Sequence, residues 1–335
     1  MTDRDHVIAH EEEPRPSGVP VFAQLALLGL ILIALFGSLA VSTLTGTGAG
    51  PSGSISAGTD AANSRPLPPP ADTTIDEVEL TAASANVWDV SRQRALYTKD
   101  PNAVRPLASI TKLMTTLVAY ELVADEETVS IPYRGILQEG SSGLSTGEEF
   151  TARALADLAL ISSSNDAAYS LAAAVGGELG DRNDTAQFVA AMNIRAEELG
   201  LTTLEFHNPT GLDRSPREAG AYGSAREVSF LMEYILTHYP DLLAATTRTD
   251  ERIYSEDGRY HDAANTNDLV SNIPNLLGSK TGFTDLAGGN LTVAFDAGFN
   301  RPIVVTVLGS TRSGRFADVE QLVAAATAAI AAERE

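Results

Sequence analysis

Arg105-Pro106-Leu107-Ala108-Ser109-Ile110-Thr111-Lys112-Leu113-Met114 is the point where one hydrophobic period gives way to another. Upstream, Ser84 to Val90 and Arg94 to Thr98 read as two strands joined by a polar turn, a β-hairpin. From Ser109 onward, Ile110, Leu113, Met114, Leu117, Val118 and Leu122 recur at helical spacing. Ser109 and Lys112 are therefore expected on one face at the start of a helix. Helical patterns continue through Thr151 to Ile161, Asp166 to Val175, Thr185 to Leu199 and Ala225 to Thr237. Strand patterns return at Leu276 to Thr281, Asn290 to Phe295 and Pro302 to Leu308, the last two linked by the turn-like Asp296-Ala297-Gly298-Phe299-Asn300. An alanine-rich helix, about Ala317 to Ala332, closes the chain. Strands at both ends with helices between predict a mixed α/β chain of the α+β type. It would have one antiparallel sheet built from both termini and an inserted helical lobe.

The segment before this domain has a different character. Residues 1–20 are polar, with acidic Glu11 to Glu13. Val21 to Val41 carries no charge, and only Gln24 and Ser38 interrupt it with polar side chains. About 20 helical residues cross the hydrocarbon core, so residues 21–41 are expected to form a transmembrane helix. A cleaved signal peptide would have a shorter apolar region and a small-x-small cleavage site, and Ser42-Thr43-Leu44-Thr45-Gly46 offers none. Arg4 and Arg15 precede the span, and no basic residue follows it until Arg65, which places residues 1–20 in the cytoplasm and the rest outside. Residues 42–76, rich in Gly, Ser, Thr and Pro, read as a flexible tether. The folded domain is expected over 77–335.

The 335 residues carry a formal charge of −21, which opposes binding to nucleic acid or to an anionic lipid surface. There is no cysteine, so disulfide and zinc-thiolate frameworks are excluded. His6, His10, His207, His238 and His261 show no metal-ligand spacing, and no metal or cofactor is expected. Only three lysines occur, against 20 arginines. Lys99 falls in a predicted turn, and the other two stand in short motifs rich in hydroxyl groups. An amine can lose its proton when desolvated, whereas a guanidinium effectively cannot.

The first motif is Ser109-x-x-Lys112, in which a buried amine could take the serine proton and the serine N–H could donate to an oxyanion. The same four residues also describe a capping serine followed by a surface lysine. The second is Ser163-Ser164-Asn165, between two helical patterns. Ser163 would relay a proton and Asn165 would bind a substrate amide, or else the segment is an N-cap. The third is Lys280-Thr281-Gly282 at a strand end. There a cation, a hydroxyl and a missing side chain make a slot for a carboxylate, or else an edge strand carries a protective lysine.

Together and in this order, the three motifs are the signature set of penicillin-recognising serine enzymes. The chain resembles the D-alanyl-D-alanine carboxypeptidase family, the low-molecular-mass penicillin-binding proteins. The likeness includes Arg105 to Met114, Phe206-His207-Asn208-Pro209-Thr210-Gly211-Leu212, Asn265-Thr266-Asn267 and Gly278-Ser279-Lys280-Thr281-Gly282-Phe283-Thr284. It implies a β-lactamase/DD-peptidase-like fold and peptidoglycan stem peptides as substrate. Ser109 would be the nucleophile, Lys112 the general base and Ser163 a proton relay. Asn165, Lys280, Thr281 and Gly282 would bind substrate, with Phe283 giving the second oxyanion N–H. β-Lactams would acylate Ser109, and the domain would sit on the outer side of a bacterial cell membrane. Relatives without the C-terminal β-rich domain of many carboxypeptidases include endopeptidases that cut crosslinks, which is the alternative activity. A β-lactamase would need a deacylating E-x-x-L-N glutamate, which is absent between Asn165 and Lys280. A non-catalytic wall-binding module would be free to lose the motif residues. Some relatives place an arginine near the carboxylate pocket, for which Arg312 and Arg315 are candidates.

Overall fold

In the computed structural model the described residues are Ile75, 78–140, 142–179, 184–298 and 300–333. They fall within one compact unit, Asn63–Glu335. The expected tail, membrane span and most of the tether lie outside the described residues. Among the described residues, no helix is long and apolar enough to cross a membrane.

Five strands form the central sheet: β1 (Ser84–Asp89), β2 (Arg94–Lys99), β3 (Leu276–Thr284), β4 (Gly288–Asp296) and β5 (Pro302–Ser310). Their order is β3-β4-β5-β1-β2, and every neighbouring pair is antiparallel. The first two strands thus extend a three-stranded meander from the C-terminal end, the arrangement that the sequence pattern predicts. Strand β1 is buried along its whole length because it has a partner on each side and a helical layer on each face. Lys99 ends β2 instead of occupying a turn, and its ammonium donates to Leu80 O at 3.0 Å.

The helices are α1 (Lys112–Leu122), α2 (Ala152–Ile161), α3 (Asn165–Leu179), α4 (Asp184–Glu198), α5 (Ala225–His238) and α6 (Gly314–Ala332). Thr151 caps α2 by accepting from Ala154 N, and Ser224 caps α5 by accepting from Glu227 N. Helices α1 to α4 form the inserted lobe around Leu113, Leu117, Leu155, Leu171, Phe188 and Met192. Helix α5 lies between this lobe and one sheet face, and α6 covers the other face through Val319, Leu322, Val323, Ala326 and Ile330. Asp318 on α6 fixes the approach to β1 by accepting from Thr81 N and Ala82 N at 2.8 and 2.9 Å.

A second hairpin, Asp250–Tyr254 with Tyr260–Ala264, and several two- or three-residue strands were not expected from sequence. These stretches are too short or too polar to show a period.

Candidate active site

The Arg105–Met114 segment passes through a tight turn before it becomes a helix. Ala108–Thr111 is a 3₁₀ turn, and the α-helix proper starts at Lys112, so Ser109 sits on the turn and not in the helix. Ala108 adopts φ +48°, a left-handed conformation that strains an alanine. Buried Asn290 of β4 holds the turn against the sheet by donating to Pro106 O and Leu107 O, each at 3.0 Å.

Lys112 is fully buried, and its Nζ has three partners: Ser109 Oγ at 2.8 Å, Asn165 Oδ1 at 2.7 Å and Thr210 O at 2.8 Å. Burial brings the amine down to about 7. This disposes of the surface-lysine reading. In the neutral form its two N–H groups satisfy Asn165 Oδ1 and Thr210 O, leaving the lone pair for the Ser109 hydroxyl. The arrangement can therefore accept a proton from the serine without any rearrangement.

Between α2 and α3 the two readings of Ser163-Ser164-Asn165 separate onto different residues. Ser164 is the cap, its Oγ accepting from Ala167 N at 3.0 Å. Ser163 has φ +60° and takes no part in the cap; its Oγ accepts from Lys280 Nζ at 2.9 Å. Asn165 uses Oδ1 on Lys112, and its Nδ2 donates to Glu139 O at 2.7 Å, which pins the loop before residue 148 beside the site.

Lys280, Thr281, Gly282 and Phe283 lie on the edge strand β3, but Lys280 is not an edge-protecting lysine. It is 1% exposed. Burial first, then the positive charges of Lys112 and Arg315, hold its amine well below the usual lysine range. Thr281 is hydrogen-bonded to Thr266 through their hydroxyls at 2.6 Å. A side chain at Gly282 would place its Cβ 2.8 Å from Leu107 O and 3.2 Å from Ser109 N, so only glycine lets β3 lie this close to the nucleophile turn. Phe283, the next residue, is partly exposed beneath the Arg312 guanidinium. All eight predicted site residues are thus gathered along the second half of β3; Lys280 falls mid-strand in Leu276–Thr284 and not at the strand end expected from sequence.

Sequence reasoning flagged the Phe206–Leu212 and Asn265–Asn267 segments without giving their residues work. The structure places Thr210 O on Lys112 and Thr266 on Thr281. Gly211, at φ +80°, would bring a Cβ within 1.9 Å of Ala108 O, which explains the glycine. Arg315, at the start of α6, is buried and donates Nη1 to Gly282 O at 2.7 Å. Of the two arginines left unplaced by sequence, this one reaches the backbone of the motif.

The sequence pattern of the D-alanyl-D-alanine carboxypeptidase family matches residues 71–311. A D-alanyl-D-alanine endopeptidase of Escherichia coli K12 is 32% identical over 256 residues, covering 75% of this chain and 78% of that protein. D-alanyl-D-alanine carboxypeptidase DacF of Bacillus subtilis is 31% identical over 252 residues, covering 73% of this chain but only 62% of that longer protein. Penicillin-binding protein D2 of Listeria monocytogenes, solved in a cefotaxime-bound form, is 26% identical with a TM-score of 0.64. That match covers 74% of this chain and 98% of the other. The mixed α/β architecture is that of the penicillin-binding DD-peptidases. Motif order, site geometry and a match over residues 71–311 agree: the chain belongs to the D-alanyl-D-alanine carboxypeptidase family.

Proposed function

We propose that the protein is a serine-type D-Ala-D-Ala carboxypeptidase that trims the terminal D-alanine from peptidoglycan stem peptides and is acylated by β-lactams. The observation that carries this reading is the fully buried Lys112, brought to about 7 and 2.8 Å from Ser109 Oγ. Ser109 attacks the carbonyl between the two D-alanines while its proton passes to neutral Lys112. The negative charge on the tetrahedral oxygen is met by the N–H groups of Ser109 and Phe283. Asn165 holds the peptide backbone through its remaining N–H. The terminal carboxylate lies at Lys280 and Thr281, where its charge favours the protonated form of Lys280 and raises the amine. The proton returns through Ser163 to the departing amine as the C–N bond breaks. Water then enters on the ester, its proton returns to Ser109, and the shortened peptide leaves.

Cleavage of D-Ala crosslinks is the second reading, supported by 32% identity to an endopeptidase over most of both chains. Incubation of the enzyme with a pentapeptide stem and, separately, with a crosslinked dimer decides between them. Free D-alanine from the first substrate at the higher kcat/KM is expected. Dimer cleavage with no D-alanine released would overturn the carboxypeptidase assignment.

The same proposal extends to location, which the sequence pattern and the family's wall-directed chemistry support. The 21 uncharged residues Val21–Val41 anchor the protein in a bacterial cell membrane, with the domain on the outer side where the substrate is. Carbonate extraction of membranes from the native source tests this: retention with the membrane is expected, and release into the soluble fraction would refute it.

A further inference from the structure

The Phe206–Leu212 segment is followed by Asp213, a residue with no assigned role in the reaction. Asn208 organises the turn between them. Its Oδ1 accepts from Thr210 N, Thr210 Oγ1 and Gly211 N at 3.2, 3.1 and 2.7 Å, and its Nδ2 donates to Leu212 O at 2.8 Å. One end of this rigid turn holds the base, because Thr210 O accepts from Lys112 Nζ at 2.8 Å. Pro209 O beside it accepts from the Thr115 hydroxyl on α1 at 2.7 Å.

The other end reaches β3. Asp213 Oδ1 accepts from the Thr284 hydroxyl at 3.0 Å, and Oδ2 accepts from Leu286 N at 3.3 Å. Thr284 Oγ1 in turn accepts from Ala287 N at 3.2 Å, so one carboxylate closes the whole turn that follows β3. Thr284 is the last residue of β3 and the immediate neighbour of Phe283. The strand end is also held by Arg315, whose guanidinium donates to Gly282 O. Gly282 faces Ser109 N so closely that a Cβ there would stand 3.2 Å from it. One short turn therefore joins the base, the nucleophile turn and the strand end that supplies the second oxyanion donor.

We infer that Asp213 is a positioning residue: it clamps the end of β3 to the turn that carries Thr210, and so fixes the Phe283 N–H relative to Ser109 and Lys112. The inference rests on the serine-peptidase reading above. A carboxylate suits this position because it offers two acceptors and no donor. Asparagine keeps one acceptor and turns an amide N–H toward the other donor. A displacement of reacting groups of about 1 Å costs on the order of 100-fold in rate, so loosening the clamp is expected to act on the acylation step and not on overall folding.

The test compares the full-length wild type with Asp213→Asn, Thr284→Val, Thr284→Ser and the double variant Asp213→Asn/Thr284→Val. The expected result for Asp213→Asn and Thr284→Val is acylation by benzylpenicillin slowed about 10- to 100-fold at saturation, with the dissociation constant of the initial complex little changed. Thr284→Ser, which keeps the hydroxyl, restores the rate. The double variant is no slower than the slower single, since both remove one link. Backbone amide exchange over Phe283–Ala287 quickens in Asp213→Asn, while the melting temperature stays within a few degrees of wild type.

A plain turn anchor would lower the melting temperature and leave the rate per folded molecule unchanged. A folded Asp213→Asn that acylates at the wild-type rate overturns the inference. A wild type that is not acylated sinks the serine-peptidase reading instead. The exchange comparison then decides the clamp: faster exchange at Phe283 supports it, and unchanged exchange overturns it.

Discussion

On the sheet face turned toward α6, Val87, Val305 and Val293 lie side by side across β1, β5 and β4, and Leu322 and Val323 close over this face. One residue along each strand, on the opposite face, the row reads Asn86, Thr306, Thr292 and Lys280. All four are buried, and the hydroxyls of Ser229, Thr306 and Thr292 form a chain with links of 2.9 and 2.8 Å. Among the described residues, neither side-chain polar atom of Asn86 has a hydrogen-bond partner. The same five strands thus present a wholly apolar patch toward α6 and, on the other face, a polar row set among buried Trp88, Ala294, Val304 and Leu308; burying the apolar groups gains free energy, and burying the row gives some of it up. The alternation of a β-strand keeps the polar row off the α6 face, and Lys280 ends that row at the edge strand.

This contrast can be broken in order of expected effect. Lys280→Met removes the cation at the end of the polar row, and acylation by a β-lactam should fall about 1000-fold for lack of a carboxylate partner. The melting temperature should hold or rise, because an apolar side chain replaces a desolvated amine. Stopped-flow acylation together with a thermal melt checks both halves, and a folded Lys280→Met with normal acylation would break the contrast. On the other face, Leu322→Ala should cost about 2–5 kcal/mol of stability while leaving the acylation rate per folded molecule unchanged. Urea denaturation and the same kinetics are the measurement. A slower chemical step in folded Leu322→Ala would mean that the two faces are coupled.

A third test uses pH. Lys112 acts as a base only when neutral, and burial places its titration at about 7. The acylation rate at limiting inhibitor should therefore climb about tenfold per pH unit below 7 and level off above it. A flat profile from pH 5 to 9 would remove Lys112 from the role of base. The smallest effect is expected from Thr292→Val/Thr306→Val. Replacing both members of a buried hydroxyl pair by isosteric apolar groups should shift stability by no more than about 1 kcal/mol. A larger loss in a calorimetric scan would show that the polar row holds the sheet together.

The sheet and the long helices were legible because their patterns are long and regular. The helix predicted over Thr151 to Ile161 is found at Ala152–Ile161, and the strand expected from Pro302 is found at Pro302–Ser310. The chemistry was legible for another reason: a chain with three lysines places two of them in hydroxyl-rich motifs, and at Lys112 an amine that can lose its proton serves where a guanidinium could not. What stayed hidden depends on contacts distant in sequence. Thr210 reaches Lys112 through a backbone carbonyl, which leaves no mark on residue type. Asn290 supports the nucleophile turn across 183 residues, and Arg315 could be matched to Gly282 only after α6 was packed on the sheet. The assignment of the cap to Ser164 and not to Ser163 turns on a single φ of +60°, which neighbouring residues do not announce.

The central claim is that Ser109 is an acylated nucleophile served by Lys112. Intact mass spectrometry of the full chain after incubation with benzylpenicillin, beside Ser109→Ala, tests it most directly. One stable adduct is expected on the wild type and none on a folded Ser109→Ala. An equal adduct on both proteins, or none on the wild type with the penicillin left intact, would contradict it.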